Sequence, residues 1–101
     1  MLFNLIIKEE AHVDIIEAYN YYEEKSVGLG ERFLQTLLKR YNDLAQHPTH
    51  YSFINEDETL HLRDVVLEKF PFVIVFEIMD ADVIVYAVHN TYKHPRKKIR
   101  K

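Results

Sequence analysis

The chain has 101 residues, 48% of them hydrophobic, which suits one packed domain and excludes a disordered chain. It has no cysteine, which excludes a disulfide framework and a thiolate metal site. The net charge of −3 hides a split: residues 91–101 carry six Lys/Arg and no acid, against seven Lys/Arg and sixteen Asp/Glu in the other ninety. An acidic body with a basic arm argues against broad nucleic-acid affinity, so any phosphate contact is expected near the tail, at about residues 93–101. The alternative for that tail is a solvated end that aids solubility. The first ten residues lack the basic leader of a signal peptide, and no stretch approaches the roughly 18 apolar residues of a membrane-spanning helix. A cytoplasmic location is expected.

Residues 2–7 are apolar and β-branched, and predict a first strand. A helix follows from about 9 to 25. Val13, Ile16, Tyr19 (or Asn20) and Tyr22 recur at helical spacing and Ile15 widens the stripe, while Glu9, Glu10 and Asp14 suit the positive end of the helix dipole. Gly28 and Gly30, the chain's only glycines, permit a tight reversal. A second helix from about 29 to 46 lines up Leu29, Phe33, Leu37, Tyr41 and Leu44, with Leu34, Leu38 and Ala45 beside them, and Pro48 forbids continuation. The short connection makes an antiparallel helical hairpin whose apolar face needs a sheet to cover it.

Residues 47–59 are polar and turn-like. Three strand-like runs follow, at 60–67, 70–79 and 82–89, with gaps short enough for hairpins. Leu60 and Leu62 alternate with His61 and Arg63, which predicts one core face and one open face, with Arg63 pointing across the open one. The last two runs are apolar at nearly every position, so both are expected to be central and covered on both sides, at least in a complex. The prediction is an α+β domain spanning 1–101, in the order β-α-α-β-β-β. Its sheet is mostly antiparallel, with the hairpin on one face and the other face left open.

The pattern Asp14-Ile15-Ile16-Glu17-Ala18-Tyr19 with Tyr22-Glu23, Gly28-Leu29-Gly30-Glu31-Arg32-Phe33, Arg63, Leu67, Phe70-Pro71-Phe72, Phe76, Thr91 and Pro95 resembles the RelE/ParE toxin superfamily, also called plasmid stabilisation proteins, over nearly the whole chain. The resemblance implies the toxin half of a type II toxin–antitoxin pair, silenced by a cognate antitoxin. ParE-like members of that superfamily inhibit DNA gyrase, and RelE-like members cleave messenger RNA on the ribosome.

Metal-independent RNA cleavage would need a group to activate the 2′-hydroxyl, an acid for the leaving oxygen and cations for the phosphorane. Arg63 and Lys93 are the candidates for charge stabilisation, and His89 or His94 for proton transfer. Each has a structural alternative: an ion pair with Asp64 or Glu68 for Arg63, and a backbone bond at a strand end for His89. Many relatives carry His-x-x-Arg-x-Pro at the end of the last strand. Aligned on Pro95, this chain has Asn90 and Lys93 at those places, with His89 one residue early. Asparagine exchanges no proton at neutral pH, and a one-residue displacement turns a strand side chain to the other face. Whether the chain is an enzyme stays open on the residues, and the ParE-like branch is favoured over the endoribonuclease. An inactive toxin-fold interaction module, or a homodimer, is a third reading.

Contact with an antitoxin or target is expected from Tyr21, which lies off the main stripe, and from Lys69, Asn90, Tyr92, Arg96, Lys97 and Lys98. The remaining helical tyrosines are expected in or beside the core, with their hydroxyls at its edge. His47 and His50 flank Pro48 without a third ligand nearby, so no metal and no cofactor is expected.

Overall fold

The computed structural model describes residues 2–51, 53–54 and 61–92. The elements run β1 (Asn4–Ile7), α1 (Glu9–Lys25), α2 (Leu29–Gln46), a short 3-10 turn (Pro48–His50), β2 (Leu62–Val66), β3 (Phe72–Met79) and β4 (Asp82–Asn90). The order β-α-α-β-β-β is the one expected, and the two most apolar strands are indeed central: the sheet order is β1-β4-β3-β2. β2 and β3 pair antiparallel, as do β3 and β4, while β1 joins β4 in parallel through Asn4↔Asp82 to Ile7↔Val85.

Apolar side chains at alternate positions place one face of the sheet under the helices. Phe72, Ile74, Phe76, Val83, Val85, Val65 and Leu67 pack there with Ala11, Ala18, Tyr22, Phe33, Leu37, Tyr41 and Leu44. Tyr22, Phe33, Phe70 and Phe72 form an aromatic knot, with Phe33 lying 5.5 Å from both Tyr22 and Phe70 and 5.2 Å from Phe72. The α2 stripe is as expected from Phe33 to Leu44.

The α1 stripe differs. Val13 and Ile16 are 46% and 53% exposed, and the buried positions are Ala11, Ala18 and Tyr22. Two alanines bring α1 close over β4, and that approach rotates the larger β-branched side chains outward.

The hairpin turn is held by one carboxylate. Glu23 accepts the amides of Gly28 at 2.8 Å and Gly30 at 3.0 Å, which satisfies donors at the start of α2 that have no partner within the helix. Gly28 has φ +90°, and a side chain at Gly30 would meet the Tyr19 carbonyl oxygen at 2.7 Å. The first glycine serves backbone geometry, and the second the close approach of the two helices.

The face away from the helices is not left open, contrary to expectation. Ile54, Val75 and Ala87 form a second small cluster with Leu62 against it, and Val73 is fully buried. The segment at Phe53 and Ile54 lies against β2, with Phe53 bridging to Arg63 and Ile54 covering Leu62 and Val75 on this face.

Candidate functional site

β4 carries a bulge. Val75 pairs with Ala87 but Phe76 pairs with Val85, so Tyr86 is an extra residue in the ladder. Its hydroxyl donates to Glu77 at 2.7 Å, and this bond to a carboxylate raises the phenol pKa. Past the bulge the alternation is reset. Val88 and Asn90 pair with Ile74 and Phe72 on the helix side, while His89 pairs with Val73 on the far side.

β1 covers β4 only as far as Val85, and the strand edge beyond it meets α1. There Asp14 Oδ2 accepts the Val88 amide at 2.9 Å. A groove of about 340 Å³ opens at this junction, lined by Asp14, Glu17, Ala18, Tyr21, Phe72, Val88, His89, Asn90 and Tyr92. Its floor is apolar and its rim aromatic: Tyr21 is 52% and Tyr92 84% exposed. Tyr21 stands edge-on to Tyr22 at 5.2 Å, with the Lys25 ammonium 5.1 Å from its ring centre. Burial, then the neighbouring Tyr21 and Tyr92, raise the Tyr22 pKa. Beneath α1, the Tyr41 hydroxyl is buried with no hydrogen-bond partner among the described residues, and burial together with nearby Asp14 pushes its pKa far up. The expectation of hydroxyls at the core's edge fails for Tyr41, because the alanine-mediated approach of α1 closes over that ring.

Three residues expected to contact a partner, Tyr21, Asn90 and Tyr92, therefore share one groove. Lys69 does not join them. It sits at φ +71° in the β2–β3 turn and lines a separate polar cleft with Thr36, Lys39, Arg40, Asp43 and Glu68. Arg96, Lys97 and Lys98 lie outside the described residues, as do Lys93 and His94.

Arg63 does not point across an open face. It pairs with Phe76, which belongs to the helix-side core, while Leu62 occupies the far-side cluster. Arg63 Nη1 donates to the Tyr51 carbonyl at 2.6 Å, and its guanidinium lies 4.0 Å from the Phe53 ring centre. A carbonyl and a ring thus take the place of the carboxylate partner considered from sequence. The Tyr51 hydroxyl donates to Asp43 and accepts from Arg40 at 3.3 Å. Burial and then the Asp43 bond raise its pKa, against the Arg40 charge.

Arg63 and His89 thus stand on opposite sides of the sheet, so these two are not brought together for phosphodiester cleavage. The residues that sequence reasoning missed are Asp14 and Glu17 as groove walls, and Tyr51 and Phe53 as partners of Arg63. A signal existed for the first pair: Glu10, Asp14, Glu17, Tyr21 and Glu24 recur at helical spacing along one ridge of α1.

Among the described residues, no helix is long and apolar enough to cross a membrane. The chain of the chromosomal ParDE toxin–antitoxin system from P. aeruginosa is similar in fold, with a TM-score of 0.75 at 17% identity, over 88% of this chain and 96% of that one. A free-state double mutant of the E. coli toxin RelE is similar with a TM-score of 0.56 at 14% identity, over 95% and 90%. No curated protein sequence matches. The profile for the ParE toxin of type II toxin-antitoxin system, parDE, matches residues 5–93, and the chain belongs to that family.

Proposed function

We propose that this protein is a cytoplasmic toxin held inert by a cognate antitoxin, and that it disables DNA gyrase by binding it, with no chemistry of its own. The family match across residues 5–93 carries the reading. The separation of Arg63 from His89 across the sheet favours binding over RNA cleavage. The antitoxin covers the α1–β4 groove, where Tyr21, Asn90 and Tyr92 converge. Its acidic residues meet Arg96, Lys97 and Lys98 in the basic tail, and removing residues 96–101 weakens the complex and flattens its salt dependence.

The test is induction of the protein alone in bacteria, with and without a short acidic protein encoded beside it. Growth arrest with filamentation and DNA-damage signalling, relieved by the second protein, is expected. Purified protein is expected to inhibit supercoiling of relaxed plasmid by gyrase. Normal growth at verified expression refutes the toxin reading. Growth arrest with unimpaired supercoiling and cuts inside codons of messenger RNA replaces gyrase with the ribosome.

A further inference from the structure

The groove at the α1–β4 junction has a chemistry that selects its occupant. α1 carries six acids against the single basic residue Lys25, and Glu10, Asp14, Glu17, Tyr21 and Glu24 form one ridge along it. Asp14, Glu17 and Tyr21 of that ridge line the groove, with Tyr92 at its lip and Ala18, Phe72 and Val88 as its floor. Asp14 has one oxygen engaged by the Val88 amide, and Glu17 makes no ion pair among the described residues. The Tyr21 ring already has a cation 5.1 Å from its centre, the Lys25 ammonium.

A carboxylate wall, tyrosine faces and an apolar floor together match one side chain. The three methylenes of arginine lie over apolar surface, its planar cation stacks on an aromatic ring, and its fork of donors meets a carboxylate. A lysine offers the charge without the plane. An acidic segment is repelled by α1.

We infer that this groove receives one arginine side chain from the protein that covers it, with the guanidinium between Glu17 and the rings of Tyr21 and Tyr92. The identity of that protein rests on the antitoxin reading above; the recognition itself does not.

The test uses the isolated full chain, labelled with nitrogen-15 and titrated with the capped tripeptide Ala-Arg-Ala. Parallel titrations replace arginine by lysine or by citrulline, which keeps the plane and removes the charge. Saturable shifts are expected at the amides of Tyr21, Val88, His89 and Asn90, with the citrulline peptide about fivefold weaker or more, and the lysine peptide between the two. Glu17→Gln, at an exposed helical position that leaves the fold intact, is expected to weaken the arginine peptide about fivefold without changing the thermal midpoint. The inference fails if no saturable shift occurs at those amides up to about 20 mM peptide. It also fails if citrulline binds as well as arginine, or if Glu17→Gln changes nothing. None of these readouts depends on growth arrest or gyrase, so a failed titration leaves the toxin reading standing, and the reverse.

Discussion

Asp14 on α1 accepts the backbone amide of Val88 on β4 at 2.9 Å, across a sequence separation of 74 residues. This bond closes the strand edge that β1 leaves uncovered, and it places the carboxylate at the head of the groove. An open strand edge would otherwise offer an unpaired donor.

Removing that acceptor is expected to be costly. Asp14→Ala leaves the Val88 amide without its partner, a loss of about 1–3 kcal/mol. For a domain of this size each kcal/mol lowers the thermal midpoint by roughly 4–8 °C. Asp14→Asn keeps an acceptor oxygen and is expected to lose less. Thermal denaturation followed by circular dichroism checks both, and equal loss in the two variants would count against the bond.

The two glycines predict different penalties. At Gly30 an added methyl meets the Tyr19 carbonyl oxygen at 2.7 Å and Glu23 Oε1 at 2.9 Å, so Gly30→Ala must spread the hairpin and costs about 1–3 kcal/mol. At Gly28 nothing lies within 4 Å, but φ is +90°, so Gly28→Ala carries backbone strain alone, about 1–2 kcal/mol. Urea denaturation separates them by context. Glu23→Gln, which weakens the carboxylate bonds to both amides, should add to either penalty less than its own value if the turn acts as one unit.

Alkaline stability follows from the tyrosines. The Tyr41 pKa is raised from 10.0, burial being the larger cause and Asp14 the smaller. A group raised in the folded state contributes stability that is complete below the unfolded pKa, near 10, and is lost as pH climbs toward the folded value, because only the unfolded chain can release the proton. Tyr22, Tyr51 and Tyr86 shift in the same direction. Stability is therefore expected to fall above about pH 10. Tyr41→Phe should flatten part of that fall and cost little at pH 7, since the hydroxyl it removes has no partner among the described residues. A pH series of thermal midpoints for both chains decides it. An unchanged alkaline slope in Tyr41→Phe would contradict the burial of that hydroxyl.

Arg63 predicts a structural rather than catalytic phenotype. Its bond to the Tyr51 carbonyl and its stacking on Phe53 tie the returning segment to β2. Arg63→Lys keeps the charge but loses the planar contact and is expected to cost about 1 kcal/mol. Toxicity should track the remaining folded fraction. A fully folded Arg63→Lys protein without toxicity would point to a direct role at the target.

Much of the architecture could be read from local pattern. The α2 stripe from Phe33 to Leu44, the stop at Pro48, and the two doubly apolar central strands all follow from spacing and from residue types a few positions apart. The α1 face was misread because Val13 and Ile16 are larger and more apolar than Ala11 and Ala18. Small size, which matters for close packing against β4, carries little weight in a hydrophobicity pattern. Arg63 was misplaced for a related reason: alternation with Leu62 marks two faces but not which face the helices choose.

Sequence alone determined the order of elements and the family resemblance, because helical and strand periodicities are set by residues near in the chain and the resemblance rests on their joint order. Tertiary structure decided the faces. One extra residue at Tyr86 resets the parity of β4, so that Val88 and Asn90 turn to the helix side and His89 away. The meeting of Asp14, Glu17, Tyr21 and Tyr92 around one groove depends on that parity and on how closely α1 rides over the strand. The parity is set by the β3–β4 pairing across a hairpin and the approach by contacts such as Asp14 to Val88, 74 residues apart, and neither is written in a helical or strand periodicity.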